Sequence, residues 1–300
     1  MGRTELMSYR FNPAGHERPN KGREYSRPDA EAVRQLGALF EELERTHYRG
    51  ARSDYRPILS EVERLHPSVP DAHALVLDRL GNANPPLVGL FLSAVYHHSP
   101  DDLIVFDLSL DNPPSELGYK LTRGKTLVNT AEVGTSFGGV SSGTILNYGK
   151  AGFDMGGSAS GTVINLGEAD DLCGQRVRGV LINYGSVSLG MGDEGGKRSF
   201  VINAGEAGNA MGTGSEGVII ALKDPPEPTK LDLSAFTVPE SACASLPRLV
   251  NYLGKLREKL EEGRSDYRAL LPILRGLGPS PERKLRGDFT TILREAGYAL

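Results

Sequence analysis

The chain has 300 residues, a formal charge of −4, 39% hydrophobic residues and a large glycine complement of 37. The slightly acidic balance argues against a uniformly basic nucleic-acid binder and leaves room for a local basic patch. Modest hydrophobic content with abundant glycine favours a turn-rich repeat over one thick core.

Two cysteines, Cys173 and Cys243, are too few for a disulfide framework, and neither sits in a CxxC or Cys/His array. No metal or cofactor is expected on these grounds. The chain lacks the charged-then-apolar start of a signal peptide and any apolar run of about 18–20 residues. The expectation is a cytoplasmic protein without a membrane partner.

Residues 1–27 carry Arg3, Arg10, Arg18, Lys21, Arg23 and Arg27 against three glutamates, with no apolar period, and are expected to be a mobile basic arm. Residues 28–100 read as a helical region. Ala32, Leu36, Leu39, Phe40 and Leu43 share one helix face, and Ser53-Asp54 reads as the N-cap of a second helix through Ile58, Leu59, Val62 and Leu65. Third and fourth helices are expected near Asp71–Leu80 and Leu87–Tyr96. Leu103–Leu110 (LIVFDLSL) reads as a strand opening a solenoid that occupies residues 101–224.

Five asparagines, Asn129, Asn147, Asn165, Asn183 and Asn203, follow one another at intervals of 18, 18, 18 and 20 residues. Each follows two aliphatics. A small apolar residue comes four positions later (Val133, Ala151, Ala169, Val187, Ala207), then a bulkier one before glycine (Phe137, Met155, Cys173, Met191, Met211). A coil wound about one axis explains the period, because equivalent residues then stack about 4.8 Å apart. Five coils make a rod of about 24 Å. The fourth coil's two extra residues fall in the Asp193–Ser199 loop. Glycines are assigned to turns at positive φ. The asparagines are assigned to an internal ladder, with amides bonding coil to coil.

Residues 225–300 return to a helical pattern, with Leu249, Leu253, Leu256 and Leu260 on one face. Ala-Arg-Ser-Asp-Tyr-Arg at 51–56 matches Gly-Arg-Ser-Asp-Tyr-Arg at 263–268, so one helical hairpin occurs on each side of the solenoid. The predicted fold is therefore mixed α and β, a short right-handed parallel β-helix flanked by helical hairpins that cap its ends.

Several constellations bear on function. Arg52, Tyr55, Arg56, Arg264, Tyr267 and Arg268 of the repeated motif are candidate docking residues, against a local reading as caps and interhelix packing. Arg10, Arg18, Lys21 and Arg23, with Tyr9 and Tyr25 near them, are candidate nucleic-acid contacts. Asp170-Asp171 and Asp193-Glu194 lie on solenoid loops and offer acid–base chemistry, against a reading as solvated loop acids. His97-His98 with Asp101-Asp102 are set down as a polar helix end rather than metal ligands. The Thr126, Thr144, Thr162 column is broken by Phe200, which excludes a flat ice-binding face; inward or edge packing is expected. No phosphate loop, calcium nonapeptide or nucleophilic triad is present.

Glycine-terminated coils such as GTILNYGKAGFDMGGSASG and FVINAGEAGNAMGTGSEG resemble the GXGXG-type right-handed β-helix, which closes the large subunit of glutamate synthase and forms one of the subunits of formylmethanofuran dehydrogenase. The resemblance covers residues 126–222. It implies a β-helix acting as a scaffold between subunits or domains, and no flavin, iron–sulfur or amidotransferase portion accompanies it here. The expected function is a non-catalytic interaction scaffold with a protein partner. The alternatives are an RNA- or ribosome-associated factor using the basic arm, an enzyme using the loop acids, and a polymerising bactofilin-like scaffold.

Overall fold

A computed structural model describes residues 28–46, 55–222, 236–238, 247–265, 267–277 and 280–297. The basic arm and the expected Ser53-Asp54 cap lie outside the described residues.

Four helices come first. α1 (Ala30–Thr46) and α2 (Tyr55–Leu65) bury Leu36, Phe40 and Leu43, and Tyr55, Ile58 and Val62. α3 (Val69–Leu75) starts ahead of the expected Asp71 because Ser68 caps it. The Ser68 hydroxyl accepts from the Asp71 N–H at 3.2 Å and donates to the Asp71 carboxylate at 2.5 Å. A π-helical segment, Val76–Leu80, completes the predicted span. α4 (Pro85–His98) is capped by Asn84 and is buried continuously from Leu87 to Tyr96. A helix apolar on all sides has to be enclosed, and this one lies between helices and solenoid.

The solenoid is a parallel β-coil of about five turns of about 18 residues. Its long strands are β1 (Leu103–Phe106), β2 (Thr126–Asn129), β4 (Thr144–Asn147), β6 (Thr162–Asn165), β8 (Val180–Asn183), β10 (Phe200–Asn203) and β12 (Val218–Ala221), followed by β13 (Phe236–Val238). They form one eight-stranded sheet in the order β1-β2-β4-β6-β8-β10-β12-β13. The short strands β3 (Glu132–Val133), β5 (Lys150–Ala151), β7 (Glu168–Ala169), β9 (Ser186–Val187) and β11 (Glu206–Ala207) form a second sheet. β1 ends at Phe106 rather than at Leu110. Phe106 is in register with Asn129, the position at which every later coil turns.

Strand alternation decides which side chains enter the coil. Leu127, Ile145, Val163, Leu181, Val201 and Ile219 point inward and pack with Phe137, Met155, Cys173, Met191 and Met211. This interior is continuous with the core of α1–α4, so the N-terminal helices close that end of the coil. The capping expected of them holds.

The C-terminal helices sit elsewhere. α5 (Pro247–Ser265), α6 (Tyr267–Gly276) and α7 (Pro281–Glu295) lie on the outer face of the eight-stranded sheet. Leu249, Leu253, Leu256, Leu260, Leu270, Leu285 and Phe289 pack there with Val128, Leu146, Ile164, Ile182, Ile202 and Ile220. The expected cap on the second end is thus a cover along the flank. The cause is in the strands: TILN, TVIN and VLIN are apolar toward both faces, and a sheet buried on both faces needs a second layer. The threonine column also faces outward, not inward, and Phe200 meets Phe289 of α7 with ring centroids 6.1 Å apart.

Corner geometry also departs from expectation. Positive φ occurs at Gly138, Gly156 and Gly174, as predicted, and equally at the flanking Ser136 and Val140, Asp154 and Ser158, Leu172 and Arg176. Inter-coil bonds hold this conformation. The Asp154 and Ser158 N–H groups donate forward to Asp171 and Gln175 carbonyls at 2.9 and 2.7 Å, while the Gly156 N–H donates back to Phe137 at 2.7 Å. The glycines two residues after the last four asparagines answer to a close approach instead: a Cβ on Gly167 would stand 2.1 Å from the Gly149 carbonyl oxygen.

Candidate functional site

The ladder is observed as predicted. Asn129 Nδ2 donates to Asn147 Oδ1 at 2.8 Å, Asn147 to Asn165 at 2.8 Å, Asn165 to Asn183 at 2.9 Å and Asn183 to Asn203 at 2.9 Å. All five side chains are buried. Ala221 occupies the next register position and ends the column. Asn203 Nδ2 accordingly has no acceptor among the described residues. The amides are spent inside the protein and present nothing to a ligand.

The repeated motif is partly internal as well. Tyr55 and Tyr267 each open the second helix of their unit. The Tyr55 ring is buried edge-on against Tyr119 at 5.3 Å, with Lys120 Nζ 5.9 Å from its centroid. Burial pushes its phenol well above the usual range. Arg56 is exposed. Arg264 lies over the Tyr148 ring at 5.8 Å. Arg52, and the side chains of Tyr267 and Arg268, lie outside the described residues, as do Arg10, Arg18, Lys21 and Arg23.

His98 Nε2 bonds to the Leu59 carbonyl at 3.2 Å, and no group of three or more metal-ligating side chains occurs among the described residues. Nor is any helix among them long and apolar enough to cross a membrane. Cys173 is fully buried, and burial raises its thiol to about 12. Such a thiol stays protonated and unreactive.

With the large sheet covered and the interior filled, the left-handed corner is the solenoid's most distinctive exposed surface. Its order along the rod follows from the backbone bonds. Ser136 N–H donates to Phe153, Asp154 to Asp171, and Leu172 to Leu189. A ridge results in which Phe153, Asp171 and Leu189 follow one another in one column of successive coils, with Asp154 and Leu172 in the next. Phe153 is 45% and Leu189 42% exposed, and Val140, on the same corner, 43%. These three are the large apolar side chains that the corner leaves exposed among the described residues.

The corner also holds the perturbed acids. Burial raises the Asp154 carboxyl to about 6, against the pull of Arg176, and its Oδ1 has no hydrogen-bond partner. Burial raises Asp193 to about 6 as well, although it accepts from the Thr213 N–H at 3.0 Å. Arg176 is bound to Glu194 at 2.6 Å. Of the predicted loop acids, Asp170 is exposed and Asp171 half-buried on the ridge. Asp154 and Asp193 stand in coils two steps apart, roughly 10 Å along the axis alone. Glycosidase carboxyl pairs work at about 5–9.5 Å.

Sequence reasoning passed over Asp154, Phe153 and Leu189, and also Tyr148 and Tyr184, which anchor α5. For the tyrosines a signal existed: both directly follow ladder asparagines, two coils apart. Comparisons of the chain with protein-family models, curated proteins and solved structures returned no match. The fold and surface define a β-solenoid with an asparagine ladder, closed at one end and covered along one flank by helices.

Proposed function

We propose that this chain is a non-catalytic interaction scaffold that offers its left-handed corner to a protein partner. The observation carrying the reading is the corner ridge, where exposed Phe153 and Leu189 flank Asp171 on a backbone bonded from coil to coil. A rigid frame keeps the ordering cost of binding low, which favours recognition. The resemblance of residues 126–222 to the GXGXG-type β-helix supports the same role, because there too the coil joins subunits or domains. We place the protein in the cytoplasm, where a buried reduced thiol such as Cys173 is at home.

Affinity capture from the source, split into nuclease-treated and untreated halves and read by mass spectrometry, tests the scaffold. A specific protein partner retained in both halves, and lost with Phe153→Asp, is the expected result. Partners that all vanish on nuclease treatment would replace it with the RNA-associated reading.

An enzymatic role draws on one observation, the raised carboxyls of Asp154 and Asp193. Their separation along the rod tells against a shared substrate atom. Hydrolysis of a glycan panel that is lost on Asp154→Asn would support it.

A further inference from the structure

The ridge has a pattern that specifies what fits it. Between an exposed ring at Phe153 and an exposed aliphatic at Leu189, one coil from each, stands the half-buried Asp171, with exposed Asp170 beside it. Arg176, the cation nearest these acids in sequence, is already bound to Glu194, and Lys197, further along the fourth coil's loop, lies 3.9 Å from Glu216. Phe153 and Leu189 are about 10 Å apart along the axis, the length of three extended residues. A complementary segment is extended, carries apolar side chains and places guanidinium or ammonium groups over the carboxylates.

Residues 1–27 of the chain offer that composition. They hold six Arg and Lys against three Glu, and Tyr9-Arg10-Phe11 sets a cation between two rings. Length permits the contact. α2 opens at Tyr55 against Tyr119, so the N-terminal helices abut the corner of the first coil. Even if the arm departs a full α1 length away, about 25 Å, and runs about 20 Å along the rod, some 14 extended residues suffice. Twenty-seven are available.

We propose that the N-terminal segment 1–27 docks on the left-handed corner of its own chain, with its arginines over Asp170 and Asp171 and its aromatic residues beside Phe153 and Leu189. The arm is then an internal competitor for the corner. An arm seated there covers the corner whatever partner the corner serves, so the docking stands or falls apart from the scaffold reading.

The test uses the purified full chain with a photo-reactive benzoylphenylalanine in place of Phe153 or, as control, of exposed Val250 on α5. Illumination of mixed light and 15N-labelled protein, followed by peptide mapping, identifies what each position captures and whether capture is within one chain. The expected result is intrachain capture of residues 1–27 from position 153 and not from 250. That yield should fall at least five-fold in Asp170→Lys/Asp171→Lys or when salt rises from 50 to 500 mM. The double variant's melting curve is recorded beside the parent's, since Asp170 is exposed but Asp171 half-buried, and Asp170→Lys alone should lower the yield in the same direction. Equal capture from position 250, capture only between chains, or no arm peptides would overturn the docking. Missing arm peptides together with arm-dependent binding of a uridine oligonucleotide would assign the arm to nucleic acid instead.

Discussion

Tyr148 donates its hydroxyl to the Leu260 carbonyl at 2.5 Å, and Tyr184, two coils further on, donates to Leu253 at 3.0 Å. Two coil steps span about 9.6 Å, and the seven residues from Leu253 to Leu260 span about 10.5 Å of helix. The heptad of α5 therefore keeps pace with every second coil, and the helix runs back along the rod against the direction of coiling. Arg257 and Arg264, again seven apart, lie over the same two rings, each at 5.8 Å.

From this match, Tyr148→Phe with Tyr184→Phe should destabilise the cover and spare the coil. Each lost hydrogen bond is worth about 1 kcal/mol. Amides of α5–α7 should exchange roughly thirty-fold faster while those of β4–β10 hold. Equal loss in both would show that cover and coil unfold as one unit.

The ladder gives a second expectation. Asn165→Ala removes a donor to Asn183 and an acceptor from Asn147, at a cost of about 1–3 kcal/mol in chemical denaturation. Asn203→Ala should cost less, since the column already ends there at Ala221. Equal losses at both positions would deny that position in the column matters.

How much of this was readable beforehand follows from what repeats. The asparagine period and the inward apolar columns recur in every coil, so one chain supplies its own alignment, and fold and ladder were legible. The flank cover was harder. Outward Leu146, Ile164 and Ile182 alternate with inward residues in strands of four, too short for the two faces to separate by pattern alone. The αL conformation at Asp154 and Leu172 had no signature either, because inter-coil bonds impose it on residues that do not prefer it. The ridge depends on which coil follows which, a relation between residues far apart in sequence.

Close approach at the glycines that follow Asn147, Asn165, Asn183 and Asn203 predicts a steric result. Gly167→Ala places a methyl 2.1 Å from the Gly149 carbonyl oxygen, which cannot recede without disturbing the coil before it. A loss of about 3 kcal/mol or more is expected in a melting experiment. A near-neutral variant would mean that the coils spread easily.

Asp154 predicts a pH dependence. Its carboxyl titrates near 6 in the folded chain against an ordinary 3.8, so the folded state holds the proton more tightly. The penalty for ionising it is absent below about pH 4, grows up to about pH 6 and is complete above. Asp154→Asn should therefore raise stability at about pH 7 by about 1–2 kcal/mol, after allowing for solvent screening of a half-buried group, and leave it unchanged at about pH 4. A gain of equal size at both pH values would place its origin outside this titration.

The central claim is one continuous hydrogen-bonded coil, closed by α1–α4 at its first turn and clamped along one flank by α5–α7. Native-state hydrogen exchange resolved to single residues tests it most directly. The account predicts that interior amides of β2 through β10 exchange only through global opening and share one free energy, with those of α4 among them. Fast, graded exchange along the coil, or protection in α4 independent of the strands, would contradict it.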